Sequence, residues 1–302
     1  MRSPSFPDWL AGLIERASEA DGQPPFSDQS LVELAAGQRR LIAVGTDAAA
    51  IFAPSASGEA EAEFVVDPAS RRRGLGGQLL GTLLQRSGGS LRVWAHGDHP
   101  AARILAARNG LEPVRTLLQL RAAVPALRDG RQSALLRERL GDAGSSPARA
   151  PWTVTAFRPG VDDAAWLAIN AAAFSAHPEQ GRLTQRDLDA RKAEDWFDSD
   201  DFLLLRADNN GAELAGFCWL KVDGELGEFY AVGIAPDRQG HGLGRVLVEA
   251  GLARLAARGI RTANLYVEAD NEPAVRLYRS FGFTDYTVDI QYASGGILRA
   301  TG

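Results

Sequence analysis

Residues 227–244 read Gly227-Glu228-Phe229-Tyr230-Ala231-Val232-Gly233-Ile234-Ala235-Pro236-Asp237-Arg238-Gln239-Gly240-His241-Gly242-Leu243-Gly244. The run 229–234 is apolar and rich in strand formers, and Pro236 cannot continue a ladder. Gln239–Gly244 then opens a helix, because Leu243, Val246, Leu247 and Ala250 recur at helical spacing. Glycines at such a turn leave backbone N–H groups uncovered at a helix N-terminus, where the dipole favours an anion. Strand, glycine turn and helix therefore predict a phosphate-holding unit. The spacing is not the GxGxxG dinucleotide fingerprint, and no Gly-Lys-[Ser/Thr] makes it a P-loop.

The rest of the chain bounds what that phosphate belongs to. At 302 residues there is room for about two ordinary domains, and the 45% apolar fraction supports full cores. Net charge is −5, so no basic excess is available for a nucleic-acid backbone. The single cysteine, Cys218, excludes an intrachain disulfide and a multi-cysteine zinc site, and the four histidines (96, 99, 177, 241) form no HExxH pattern, so no metal is expected. No run approaches 18 apolar residues and the N-terminus has no continuous apolar core of a signal peptide, which predicts a soluble cytoplasmic protein away from membranes.

The opening motif occurs twice. VVDPASRRRGLGG (65–77) superposes on GIAPDRQGHGLGR (233–245) at a shift of 168, with Pro68 on Pro236 and the late glycines matched. WAHGDH (94–99) superposes on YVEADN (266–271) at a shift of 172, which puts Gly110 on Gly282. An internal repeat of about 150 residues is a duplicated domain. Between the copies, Arg137–Pro151 has the Gly/Ser/Ala/Pro composition of a linker. The domains are therefore expected at 1–144 and 152–302, with 145–151 as linker. Each copy reads as helices, an antiparallel strand pair, the strand–glycine turn–helix unit, then strand, helix and strand. The last strand alternates cleanly, with Tyr286, Val288, Ile290 and Tyr292 expected on one face.

The pattern [Arg/Gln]-x-x-Gly-x-Gly, at Gln239–Gly244 and again at Arg71–Gly76, resembles the acyl-CoA turn of the GCN5-related N-acetyltransferases. The resemblance implies an α+β fold of two tandem acetyltransferase domains, each a mixed, mostly antiparallel sheet flanked by helices. It implies acetyl-CoA as co-substrate. The pantetheine arm would pair with Val232, Gly233 and Ile234, and with Phe64, Val65 and Val66 in the first copy. The pyrophosphate would sit on Gln239, Gly240, His241, Gly242, Leu243, Gly244 and Arg245, with Asn271, Glu272, Pro273, Ala274, Val275 and Arg276 alongside. In the first copy the cradle would be Arg72, Arg73, Gly74, Leu75, Gly76 and Gly77, where the arginine run 71–73 adds charge suited to phosphates.

The chemistry needs a base for a substrate ammonium and an acid for the departing thiolate. Tyr278 is the candidate acid, standing where family members often carry a tyrosine; otherwise it is a core aromatic. Glu228 is the candidate base, since desolvation within an apolar strand favours its neutral form and raises its basicity. The other reading is a strand-edge glutamate in water, with Glu225 as the neighbouring alternative. At the same shifts Glu228 falls on Ala60 and Tyr278 on Ala106, which predicts a first copy that binds without catalysing and a catalytic second copy.

Residues 170–181, NAAAFSAHPEQG, together with Asp195-Trp196-Phe197, Gly216–Lys221, Gly227–Gly233 and Leu265–Asn271, resemble the mycothiol synthase family across essentially the whole chain. That resemblance implies acetyl transfer to the cysteine amine of cysteinyl-glucosaminyl-inositol, a small amino-sugar thiol; a monomer is the separate expectation, on which the sequence carries no signal. It places substrate contacts at Asp28, where the family usually has glutamate, and at Glu179, Lys221, Glu228 and Tyr266. Carboxylates suit a cationic, hydroxyl-rich acceptor. Competing expectations are a tandem acetyltransferase for a peptide N-terminus or an aminoglycoside, and a non-catalytic acyl-CoA sensor.

Overall fold

The structure is a computed structural model and describes residues 7–54, 59–125, 152–175, 180–207 and 213–295. The linker 145–151 and Glu179 lie outside the described residues. The chain divides into two compact units: Met1–Gln119 with Glu268–Asp270 and Tyr286–Gly302, and Leu120–Val267 with Asn271–Asp285. Among the described residues no helix is long and apolar enough to cross a membrane.

The first unit runs α1 (Asp8–Asp21), α2 (Asp28–Ala35), β1 (Arg40–Val44), β2 (Ala48–Ala53), β3 (Ala60–Val66), α3 (Leu75–Arg86), β4 (Leu91–Ala95), α4 (Pro100–Arg108) and the start of β5 (Leu111–Ala123). Its sheet follows the order β1-β2-β3-β4 and is continued by β11 (Thr284–Ser294), the last strand of the chain. Strands β1 to β3 are antiparallel, β3 and β4 parallel, and β11 lies antiparallel to β4 with Ile290 opposite Ala95. Thus the strand that chain order assigns to the second copy completes the sheet of the first unit. On one face Ala60 and Ala62 pack on Leu79, Leu80 and Leu83 of α3. On the other, Val65 and Ile51 pack on Leu10, Leu13 and Phe26.

β11 departs from the expected one-sided pattern, because Asp289 and Gln291 are buried as well as Tyr292. Their face meets a polar cluster. The Glu63 carboxylate accepts from the Ser27 N–H (2.8 Å), the Ser27 hydroxyl (2.8 Å) and the Ser30 hydroxyl (2.8 Å). His96 lies between two acids, with Nδ1 3.1 Å from Asp289 and Nε2 3.6 Å from Glu63, the latter an ion-pair contact too long for a hydrogen bond. Burial, the largest single influence, opposes charging the ring, but the carboxylates of Asp289 and Glu63 outweigh it and push the His96 pKa up to about 10. The same pairing holds Glu63 below its ordinary range against its own burial. The cluster ties α2, β3, β4 and β11 together.

The second unit runs β6 (Trp152–Ala156), α5 (Asp163–Ala173), α6 (Gln185–Lys192), β7 (Phe202–Ala207), β8 (Leu214–Asp223), β9 (Leu226–Ile234), α7 (Leu243–Ala257), β10 (Thr262–Glu268) and α8 (Glu272–Arg279). Its strands lie in the order β6-β7-β8-β9-β10, antiparallel until the parallel pair β9–β10. One face carries α5 and an aromatic core in which Phe202 stacks on Trp219 at 4.2 Å and Trp166 meets both edge-on. The other carries α7 and α8. There a Cβ on Gly251 would lie 2.5 Å from Phe229, and one on Gly227 would lie 2.4 Å from Leu255, so these glycines let helix and sheet approach closely.

An irregularity in β9 sets the second unit's central ladder apart. Trp219 is opposite Ala231 but Leu220 is opposite Phe229, so Tyr230 is an extra, unpaired residue in β9. Tyr230 and Ala231 consequently both join the aromatic core on the α5 face. β3 pairs with β2 without any such break from Ala48–Val66 to Ala53–Glu61.

The His96 cluster makes a signed stability test. A histidine whose folded pKa is raised contributes stability that is complete below its ordinary value of 6.5 and is lost as pH climbs toward about 10. His96→Gln is expected to destabilise the protein by about 3 kcal/mol at neutral pH, as removing one partner of a buried ion pair does. In denaturant unfolding the difference from wild type should shrink steadily between pH 7 and pH 10. A gap that stays constant or widens would contradict the charged-histidine assignment.

Candidate active site

The two glycine turns are built alike. Gly242 immediately precedes α7 with φ 78°, and Gly74 immediately precedes α3 with φ 88°, the left-handed region where a side chain is strained. Two residues further on, a Cβ on Gly244 would sit 3.0 Å from Leu277 of α8, and one on Gly76 would sit 3.0 Å from Leu105 of α4. The last glycine of each motif therefore serves helix–helix packing. The first residue of each motif braces the strand end: the Gln239 amide donates to the Ile234 carbonyl (3.4 Å), and Arg71 Nε donates to the Val66 carbonyl (3.2 Å). Between them, the first backbone N–H groups of α7 and α3 have no acceptor within their helices. The cradle fits a phosphate.

Side chains round the second turn are partly committed. Arg245 lies over the Phe281 ring at 4.8 Å and pairs with Glu249, while Arg276 pairs with Glu272. Nδ1 of His241 lies 2.8 Å from the Gln239 carbonyl, an N–H donor in the matching tautomer. Asn271 caps α8 by accepting the Ala274 N–H, and Pro273 fills a first-turn position that needs no donor. In the first unit Arg71 is clamped by Asp21 at 2.7 and 2.6 Å, so only the exposed Arg72 and Arg73 extend its positive charge. Arg72 itself has φ 62°, where the second copy has Gly240 at 79°.

Next to each turn a strand edge is open. β9 pairs with β8 as far as Ile234, but its ladder with β10 runs only from Leu226–Thr262 to Phe229–Leu265. Residues 230–234, with Val232, Gly233 and Ile234 at the end, are left without a partner on the β10 side. β3 repeats this, since its ladder with β4 stops at Glu63–Trp94 and leaves Phe64, Val65 and Val66 beyond it.

Glu228 stands at the mouth of the second gap. It is half-buried, directly opposite Lys221 of β8 and level with Asn264 of β10, so the three form a row across neighbouring strands. Tyr266, two residues beyond Asn264, is on the same face and exposed. Lys221 Nζ lies 5.6 Å from the centre of the Trp196 ring. Tyr278 reaches the sheet from its other face, where its ring meets Phe283 at 5.8 Å and Phe283 meets Phe229 at 5.9 Å. Burial, with the Cys218 thiol nearby, pushes the Tyr278 phenol well above its ordinary value, so it keeps its proton. Base and acid candidates thus flank the gap from opposite faces.

The site expectations divide accordingly. Glu228, Lys221 and Tyr266 come together on one face. Asp28 is an exposed residue in the first turn of α2 in the first unit. Asn264, only 1% exposed, joins the row and Trp196 lies against its Lys221 end; the sequence marks the first only by an asparagine interrupting the apolar run 263–267. One expectation is corrected. Glu228 does not correspond to Ala60, because Tyr230 adds a residue to β9 and changes the shift from 168 to 167. Glu61 is the residue opposite Arg92, as Glu228 is level with Asn264. Glu61 is held by Arg39 (2.9 Å) and by the Gln291 amide (3.3 Å). Ala106 does occupy the Tyr278 position on α4, buried against the α3 core.

Residues 166–283 match the Acetyltransferase (GNAT) family model. A mycothiol acetyltransferase of Clavibacter michiganensis subsp. michiganensis is 48% identical over 296 residues, covering 95% of this chain and 92% of that protein. One of Streptomyces avermitilis is 43% identical over 306 residues, covering 96% and 92%, and one of Kocuria rhizophila is 40% identical over 303 residues, covering 96% of each. Among solved structures, a GCN5-related N-acetyltransferase from Sphaerobacter thermophilus superposes with TM-score 0.68 at 20% identity over 94% of this chain and 91% of that one. A tandem GNAT protein from the clavulanic acid biosynthesis pathway gives 0.64 at 15% identity over 97% of each, which establishes likeness of fold. With the repeated cradle, the open strand edges and relatives matching along nearly its whole length, the chain belongs to the mycothiol acetyltransferase family and is an acetyl-CoA-dependent N-acetyltransferase of tandem GNAT fold.

Proposed function

We propose that the chain transfers the acetyl group of acetyl-CoA to the cysteine amine of cysteinyl-glucosaminyl-inositol, the last step to mycothiol, at the β9–β10 gap of the second unit. The observation that carries this reading is the gap itself, with the Glu228–Lys221–Asn264 row on one face and Tyr278 on the other. Acetyl-CoA supplies the activated acyl group as a thioester. Backbone groups of 232–234 bind its pantetheine arm as an added strand, and the cradle 239–245 binds its pyrophosphate, with 271–276 alongside. Within the cradle, the Gln239 side chain also braces the Ile234 carbonyl and Gly244 also lets α8 pack closely.

Glu228 takes a proton from the acceptor ammonium, freeing the lone pair that attacks the acyl carbon. As the carbon–sulfur bond breaks, Tyr278 O–H donates to the departing sulfur and the new amide nitrogen sheds its second proton to solvent; Glu228 then releases its proton and Tyr278 regains one through solvent. The phenol's neutrality suits it to donate rather than accept. Lys221, Tyr266, Glu179 and Asp28 are proposed contacts for the hydroxyl-rich acceptor. The first copy, residues 1–144, binds without catalysing. There Glu61 at the base position is neutralised by Arg39, and Ala106 supplies no acid. Its own cradle (64–66 and 72–77) is proposed to take acetyl-CoA, so a titration should count two sites per chain, and a count of one would contradict binding by the first copy. We read the protein as a cytoplasmic monomer that acts on a small molecule without a metal, and its net charge of −5 leaves no basic excess for nucleic acid.

The deciding assay is thiol release from acetyl-CoA with the desacetyl pseudodisaccharide beside a panel of peptides and aminoglycosides. Turnover should be confined to the pseudodisaccharide, and its absence there would sink the assignment. Glu228→Gln and Tyr278→Phe should each lower kcat roughly a hundredfold with acetyl-CoA affinity nearly unchanged; a large loss of CoA binding instead would make them structural. A Cβ on Gly216 would fall 2.8 Å from the Gly233 carbonyl oxygen. Gly216→Ala should therefore displace the end of β9 and weaken acetyl-CoA binding roughly tenfold by calorimetry, as overpacking of this size implies. An unaltered Kd would show that the strand end does not hold the arm.

A further inference from the structure

We propose that Trp196 is a positioning residue for the acceptor site: its ring face holds the Lys221 ammonium in place while leaving the ammonium's N–H groups available to acceptor hydroxyls. This rests on the reading of Lys221 as an acceptor contact. Lys221 is half-buried at the end of the Glu228 row, yet it makes no ion pair with any described residue, although Glu228 is its direct cross-strand neighbour. Among the described residues its ammonium meets the Trp196 ring, 5.6 Å from the ring centre. A carboxylate partner would occupy the ammonium's donors. An aromatic face attracts the charge without consuming them.

The ring is itself held. Trp196 packs on Tyr230 at 5.2 Å and on Trp219 at 5.7 Å. Tyr230 is the bulged residue of β9, and its hydroxyl accepts from Arg191 Nε at 3.0 Å. Arg191 also donates to the Asp187 carbonyl of α6 (3.0 Å). A chain of contacts therefore runs Arg191, Tyr230, Trp196, Lys221, ending beside the proposed base. Trp166 and Trp219 are fully buried core residues, whereas Trp196 is only half-buried, as a residue bordering a site would be. Lysine carries a long flexible stem, and a fixed ammonium saves the acceptor from ordering it.

The chain has only two lysines, Lys192 and Lys221, which makes the pair directly observable. In the full-length protein, reductively methylated with ¹³C-formaldehyde and assigned with Lys221→Met, the Lys221 methyl resonance should be shifted upfield by the Trp196 ring current. It should return to the position of a free lysine in Trp196→Leu, and an unshifted wild-type resonance would overturn the positioning contact. In steady-state kinetics Trp196→Leu should raise KM for the acceptor about threefold to thirtyfold, with kcat and the acetyl-CoA KM unchanged. Trp196→Phe should recover most of the loss, and Trp196→Leu/Lys221→Met should be no worse than Lys221→Met alone. Additive losses, or an unchanged acceptor KM in Trp196→Leu, would overturn the proposal. Absence of wild-type turnover on the pseudodisaccharide would overturn the reading of the reaction, while the resonance would still decide the contact.

Discussion

β9 is hydrogen-bonded to β8 along its length but leaves β10 after Phe229, and the site depends on that parting. An unpaired strand edge is ordinarily a liability, because bare N–H and C=O groups recruit other strands. Here the open length is five residues, 230–234, and it ends at a glycine turn that opens α7. A ligand with an amide-bearing arm and a phosphate at its end satisfies both features at once. Tyr230 stands where the ladder fails. Its insertion puts two consecutive side chains on the α5 face and leaves Glu228, Lys221 and Asn264 aligned just before the opening.

The first unit shows the same frame with its polar groups spent elsewhere. β3 parts from β4 after Glu63, and Arg71 braces Val66 as Gln239 braces Ile234. Yet Glu61 is neutralised by Arg39, Glu63 is consumed by Ser27, Ser30 and His96, and the acid position is alanine. Those ionic contacts reach β11 through Asp289 and Gln291, so polar residues that sit beside a gap in one copy hold the sheet together in the other. Duplication preserved the backbone. The side chains at the gap pair internally in the first unit and, in the function proposed above, serve the chemistry in the second.

Much of this was legible in the sequence, because its signals are local. Pro236 and Pro68 end strands, paired glycines mark the turns, and Leu-rich spacing marks the helices, so the repeat and both cradles could be read residue by residue. Three features could not. The bulge at Tyr230 adds one residue without disturbing apolar alternation, so the match of Glu228 to Ala60 slipped to Glu61. The pairing of β11 with β4 joins residues almost 200 positions apart, and the run 286–292 carries no mark of which sheet it enters. Trp196 meets Lys221 through tertiary packing of a segment with little periodicity of its own.

Amide hydrogen exchange with and without CoA tests the open edge most directly. If the arm pairs with β9 and the phosphates sit on α7, exchange should slow at Val232–Ile234 and at the first amides of α7, and stay unchanged along β8. Protection that spares 232–234 while CoA remains bound would contradict strand addition at this edge, and with it the placement of the reaction in the β9–β10 gap.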